Sequence, residues 1–142
     1  MKIQIKRVDQ SLPLPKYETS GSVGFDLICR ESVVVKPKEI VRIPANIIVK
    51  TPPGYMLMLI ARSSTPVKEG LMLINGAGII DQDYCGAEDE IRVQVYNFTD
   101  KEARVAVGDR IAQGIFVKIE RGEWEEVEKT QNHSRGGFGS TG

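Results

Sequence analysis

The stretch Ile91-Arg92-Val93-Gln94-Val95-Tyr96 alternates apolar and polar side chains residue by residue. That period of two puts Ile91, Val93 and Val95 on one face and Arg92, Gln94 and Tyr96 on the other, the pattern of a strand with one buried side. Working outward, the same grammar repeats in short pieces. Ser32–Val35, Ile40–Ile43 and Ile47–Lys50 are β-branched runs separated by Lys36-Pro37, Pro44-Ala45-Asn46 and Pro52-Pro53-Gly54, which are turn signals. Tyr55–Ile60, Leu71–Ile74, Ala103–Val107 and Ile111–Ile119 read as further strands, as does Trp124–Val127. Ile3 and Ile5 mark a half-buried strand at the start. Leu12-Pro13-Leu14-Pro15 cannot lie inside a sheet, because proline supplies no ladder donor. No segment carries a helix of three turns, and no repeat of roughly 20 to 50 residues is visible. Many short strands with this spacing predict an all-β sandwich, jelly roll or barrel.

The chain has 142 residues, enough for one domain with its own core. It carries 19 basic and 19 acidic residues. That balance argues against a protein that coats nucleic acid but leaves room for a local basic pocket. No apolar run reaches the roughly 20 residues a bilayer span needs, and the start, MKIQIKRVDQ, has no signal-peptide apolar block. Cys29 and Cys85 are far apart and form no CxxC; two buried free thiols in a reducing cytoplasm are expected. The end, 131–142, is polar and rich in glycine and serine, and alone reads as a mobile arm.

Elimination narrows the chemistry. His133 is the single histidine and lies in that arm, so a rigid Ser-His-Asp or Cys-His site and a His/Cys zinc site are both disfavoured. Carboxylates, arginines, backbone amides and a hard cation remain, which are the parts of phosphate chemistry. Five segments stand out. Gly21-Ser-Val-Gly-Phe-Asp-Leu27 is a turn entering a strand with an acid, Asp26, in it. Ala61-Arg62-Ser63-Ser64-Thr65 is either a polar loop or an anion nest. Asn75-Gly-Ala-Gly78-Ile-Ile80-Asp81-Gln-Asp83-Tyr84-Cys-Gly86 reads as a strand running into a hairpin tip, or as a solvated acidic turn. Asp81 and Asp83 share a face if the strand continues. Gly108-Asp109-Arg110-Ile-Ala-Gln113 is a turn and strand start, with Arg110 free to pair with an acid or to hold phosphate. Arg135-Gly-Gly-Phe138-Gly139-Ser140-Thr141-Gly142 is no P-loop, but its amides and hydroxyls suit phosphate and Phe138 suits stacking on a base.

In this order and spacing the five stretches resemble the trimeric all-β dUTP pyrophosphatase family over nearly the whole chain. The resemblance implies a jelly-roll-like domain over 1–130 and a C-terminal lid over 131–142. It also implies a homotrimer whose three sites each draw on all three chains, with dUTP as substrate and Mg²⁺ as cofactor. Asp81 then matches the acid that activates the attacking water, and Tyr84 the ring against the deoxyribose. Asn75, Gly78 and Ile80 match the uracil-reading hairpin. Arg62, Ser63, Ser64 and Gln113 match phosphate contacts, and Asp26 an acid reaching the metal through water. Arg135, Phe138, Gly139, Ser140 and Thr141 match the lid, whereas Asp109 and Arg110 match structural positions. Departures are Ser64-Thr65-Pro66 where the family has Gly and Leu, Phe25 in place of Tyr, and an extended acidic loop, Ala87–Glu90, expected beside the site. Two alternatives stay open: a dCTP deaminase of the same superfamily, disfavoured by Asp-Gln-Asp-Tyr, and a regulatory nucleotide-binding protein.

Overall fold

The computed structural model describes residues 1–130, 132–137 and 139. Eleven strands occur among them, with one short helix. A four-stranded antiparallel sheet runs β2 (Phe25–Ile28), β11 (Arg110–Lys118), β6 (Tyr55–Ile60), β8 (Gly78–Ile80). A three-stranded sheet runs β4 (Ile40–Pro44), β9 (Arg92–Asn97), β7 (Leu71–Leu73). Two antiparallel pairs complete the frame: β1 (Gln4–Arg7) with β5 (Ile47–Lys50), and β3 (Val33–Val35) with β10 (Ala103–Val105). The all-β expectation holds. No helix among the described residues is long and apolar enough to cross a membrane.

Alternation decides which face each strand buries. Ile91, Val93 and Val95 are buried while Arg92, Gln94 and Tyr96 are not. On β6, Leu57 and Leu59 point into the same apolar cluster as Leu27, Ile43, Ile47, Val49 and Leu71. At full burial each such side chain contributes roughly 1.5–3 kcal/mol. Phe25 needs special room. It stacks between Tyr17 and Phe116, with ring centroids 5.8 and 5.7 Å away, and lies over Gly114, its register partner on β11. A Cβ at Gly114 would sit 2.5 Å from Phe25 Cζ. Gly114→Ala is therefore expected to cost about 1–3 kcal/mol in denaturant unfolding, with Phe25→Leu recovering part of the loss. An unchanged midpoint would show that the ring gives way freely.

One irregularity bears on the site. Between Arg110 and Ala112 the β11–β2 register shifts by one residue. Ile111 and Ala112, adjacent in sequence, are both buried. A regular strand would put Arg110 and Gln113, three apart, on opposite faces; the bulge puts both on the face of Asp26.

Four sequence expectations are corrected. Trp124–Val127 forms no strand, and Trp124 is 99% exposed; among the described residues no neighbour offers the segment a ladder, and a strand has no stability of its own. The strand through the acidic hairpin stops at Ile80, so Asp81 and Asp83 sit in a turn and share no strand face. Cys29 is buried, but Cys85 is only half-buried, and both thiols are free. The first strand is mostly exposed, with Ile3 rather than Ile5 packed on the core. The short helix α1, Thr65–Glu69, carries Pro66 in its first turn and ends on left-handed Gly70.

Candidate active site

Two groups of chemistry-bearing side chains form, both tied to the four-stranded sheet. The first centres on Asp26. Its Oδ1 accepts from Arg62 Nε at 2.9 Å and its Oδ2 pairs with Arg110 at 3.2 Å. Arg110 also reaches Glu18 at 3.4 Å. The Asp26 side chain is 11% exposed and that of Arg62 is 26%. Gln113 is register partner to both Asp26 and Ile60, so acid, amide and Arg62 line one edge of the sheet. Two guanidiniums side by side repel, and the carboxylate between them holds both in place. Among the described residues Arg62 spends only Nε on this contact, leaving its two terminal nitrogens able to grip an anion in bidentate fashion. Ser63 is exposed beside it. Ser64 caps α1 with its backbone, and its hydroxyl makes no cap bond.

The second group is the hairpin. The chain leaves β7 in one sheet, turns at Gly76, whose φ is 70°, and enters β8 in the other. Gly78 lies against Leu59, where an added Cβ would meet Leu59 Cβ at 3.2 Å; close packing keeps this position small. After Ile80 the chain turns again, with Tyr84 N donating to Asp81 O at 3.3 Å and Gln82 Nε2 to Tyr55 O at 3.0 Å. Asn75, Gly78, Ile80, Asp81 and Tyr84 all line one groove of about 350 Å³, a volume that suits a nucleoside. Asp81 and Tyr84 are exposed to it. Arg42 and Arg92 line the same groove, and sequence reading missed both. Their signal was present as outward positions on alternating strands, but which strands flank the hairpin is a property of the tertiary fold.

The acidic loop after the hairpin is not simply solvated. Glu90 is 6% exposed. Its carboxylate accepts from Arg30 Nε at 2.8 Å and Arg30 Nη2 at 2.9 Å, and from the Asn46 amide at 2.9 Å. Burial alone would push the Glu90 carboxyl up. The Arg30 guanidinium and the Asn46 amide outweigh it and hold the group below the usual carboxylate range. A carboxyl depressed in the folded state stabilises above its unfolded value, and that stabilisation is lost as pH falls through the folded one. The stability gap between the native protein and Glu90→Gln should thus narrow as pH drops below about 4.3, the ordinary glutamate value. A gap that stays constant with pH in denaturant melts would show that the charge contributes nothing.

No hydrogen bond or ion pair among the described residues joins the two groups. Arg135 and Gly139 are exposed on the tail, where, among the described residues, the only hydrogen bond is local, from Gly136 N to Ser134 Oγ at 3.2 Å. Phe138, Ser140 and Thr141 lie outside the described residues. Among the described residues no three His, Cys, Asp or Glu side chains gather as a cation site. Both Asp26 oxygens carry arginine. This donor set fits a magnesium ion that rides on a triphosphate and meets Asp26 through water, since magnesium keeps several waters and takes phosphate oxygens. It does not fit direct ligation.

An all-β chain with an arginine-rich anion cluster and an exposed acid on a nucleoside-sized groove fits a class, the nucleotide-phosphate hydrolases. A family model described as dUTPase matches residues 10–142, and the chain belongs to that family. It is 42% identical over 144 residues to the deoxyuridine 5′-triphosphate nucleotidohydrolase of Helicobacter pylori, covering all of this chain and 97% of that one. The corresponding enzyme of Hydrogenobaculum is 41% identical, with all of this chain and 99% of that one covered. Among solved structures, the dUTPase of Streptococcus mutans superposes with a TM-score of 0.78 at 31% identity, covering 84% of this chain and 98% of that one. The dUTPase of Staphylococcus bacteriophage 80alpha, solved with dUPNHPP, gives 0.87 at 26% identity, covering 99% and 98%.

Proposed function

We propose that this protein hydrolyses dUTP to dUMP and pyrophosphate by attack of water on the α-phosphorus, with Mg²⁺. A magnesium ion, when bound with the substrate near Asp26, would supply charge neutralisation of the triphosphate. Asp81 accepts the proton of the attacking water as its oxygen bonds to phosphorus and the pyrophosphate oxygen departs. Tyr84 packs against the deoxyribose and excludes a 2′-hydroxyl. Asn75, Gly78 and Ile80 read the uracil edge, where backbone groups pair with uracil and reject cytosine's amine and thymine's methyl. Arg62, Ser63, Ser64 and Gln113 hold phosphate, with Asp26 fixing Arg62 and meeting the metal through water. Arg135, Phe138, Gly139, Ser140 and Thr141 close over the nucleotide as a lid. The reaction keeps uracil out of DNA and supplies dUMP in the cytoplasm.

The observation that carries this reading is the gathering of Asn75, Gly78, Ile80, Asp81 and Tyr84 in one groove, with the phosphate residues in a separate cluster. Among the described residues no hydrogen bond or ion pair joins the nucleoside groove to the phosphate cluster within one subunit, and the family resemblance supports a homotrimer whose subunits complete each other's sites. The outer face of the four-stranded sheet supports it too. Met58, Ile60 and Ile115 lie there only partly buried, and Ile79 on the same face is exposed.

The test is pyrophosphate release with Mg²⁺ from dUTP, UTP, dTTP and dCTP. Fast release from dUTP alone is expected. Release from several nucleotides would reject the hairpin as the uracil reader, and binding of dUTP without release would reject catalysis.

A further inference from the structure

We propose that Glu90 is a positioning residue: through the hydrogen bond from the Tyr84 hydroxyl to the Glu90 carbonyl it fixes the Tyr84 ring and so sets discrimination against a 2′-hydroxyl. The inference rests on the reading of Tyr84 as the deoxyribose wall. The wall residue is exposed on a turn, and a ring that swings there cannot exclude one oxygen atom reliably. Two hydrogen bonds hold it. Its backbone amide donates to Asp81 O, and its hydroxyl donates to Glu90 O at 3.2 Å. The second bond is long for a hydroxyl, so the Glu90 carbonyl must itself stay in place if the bond is to restrain the ring.

Glu90 is unusually well anchored for a loop residue. Its carboxylate takes the Arg30 guanidinium in a two-point grip and also the Asn46 amide. Asn46 is fully buried, with φ at 66° in the β4–β5 turn. Its own side chain takes Asp9 N at 2.7 Å and gives to Asp9 O at 3.1 Å. Arg30 N donates to Pro44 O at 2.9 Å, and the Ile91 backbone bonds Ala45 and Ile47. Two distant chain segments, at Arg30 and Asn46, thus converge on one carboxylate, a third at Asp9 braces Asn46, and the carbonyl of Glu90 is what Tyr84 touches. An acidic loop needs no buried ion pair to stay solvated. A loop that must hold a carbonyl at a fixed place does.

The experiment measures kcat/KM for dUTP and for UTP, with Mg²⁺, on the full chain. Tyr84→Phe removes the tether and leaves the Glu90 pair intact. Glu90→Gln removes the charge and keeps the shape; Glu90→Asp replaces it in the series should the glutamine variant not fold. Each single variant is expected to lower the dUTP:UTP ratio by about tenfold, the scale of one hydrogen bond. The double variant is expected to lower it no further, because both changes cut one tether. A merely structural role would lower the melting temperature and slow both nucleotides equally, leaving the ratio intact, and that result overturns the proposal. So does a double variant whose losses multiply. Tyr84→Ala separates the two levels. If it collapses the ratio while Tyr84→Phe and Glu90→Gln do not, the ring is the wall and the tether is irrelevant. If it leaves the ratio unchanged, the ring is not the wall, and the reading beneath the proposal fails with it.

Discussion

Replacing Asp81 with asparagine is expected to lower turnover of dUTP by about 10³-fold while dUTP still binds. Asp81 follows the last residue of β8 and faces the groove that the other hairpin residues line. Its backbone carbonyl accepts from Tyr84 N, a contact that the side-chain change leaves alone. Asparagine keeps the size and the turn but cannot take a proton from water. The loss should fall on kcat, with binding measured by calorimetry nearly unchanged. Turnover at the native level would place the base elsewhere, and a loss of binding alone would make Asp81 a contact to substrate rather than a base.

Removing residues 135–142 is expected to lower kcat/KM by at least about 100-fold without moving the melting temperature. The two halves of that statement come from different observations. The described tail residues are exposed and bonded only locally, so removing them uncovers no buried surface of the body. Yet the tail carries Arg135, a cation for the phosphates, and a closing segment confers much of its benefit by holding the reacting groups in register. A truncated chain with full activity would reject the lid. A truncated chain that unfolds would show that the tail is part of the frame.

Much of this molecule could be read from the chain alone. The alternation at Ile91–Tyr96 returns as one buried and one more open face of β9, and the turn signals at Ala45-Asn46 and Pro52-Pro53-Gly54 fall between strands, with Pro44 closing β4. The hairpin residues were legible because they are close in sequence, and a short turn carries them into one groove together. What escaped depends on partners distant in the chain. Glu90 sits in a run of acids and looks solvated until Arg30, sixty residues away, is folded onto it. Trp124–Val127 has strand-forming residues but, among the described residues, no neighbour to pair with. Arg42 and Arg92 reach the groove because β4 and β9 lie side by side, and no local pattern encodes that adjacency. Arg110 and Gln113 were both legible as candidates, but not that they share a face: strict alternation separates them, and only the shift within β11 brings them together.

That shift also determines where this strand tolerates a change of length. Losing one residue at position 111 or 112 would return β11 to ordinary parity, and Arg110 and Gln113 would still emerge on the same side. Losing one anywhere between Gln113 and Lys118 would invert every side chain beyond the cut, turning core outward along the longest ladder in the molecule, where β11 meets β6. The strand therefore has one place where a deletion is silent for the geometry of its functional residues and a long remainder where it is ruinous. Natural variation in the number of residues along this strand should concentrate at that one spot.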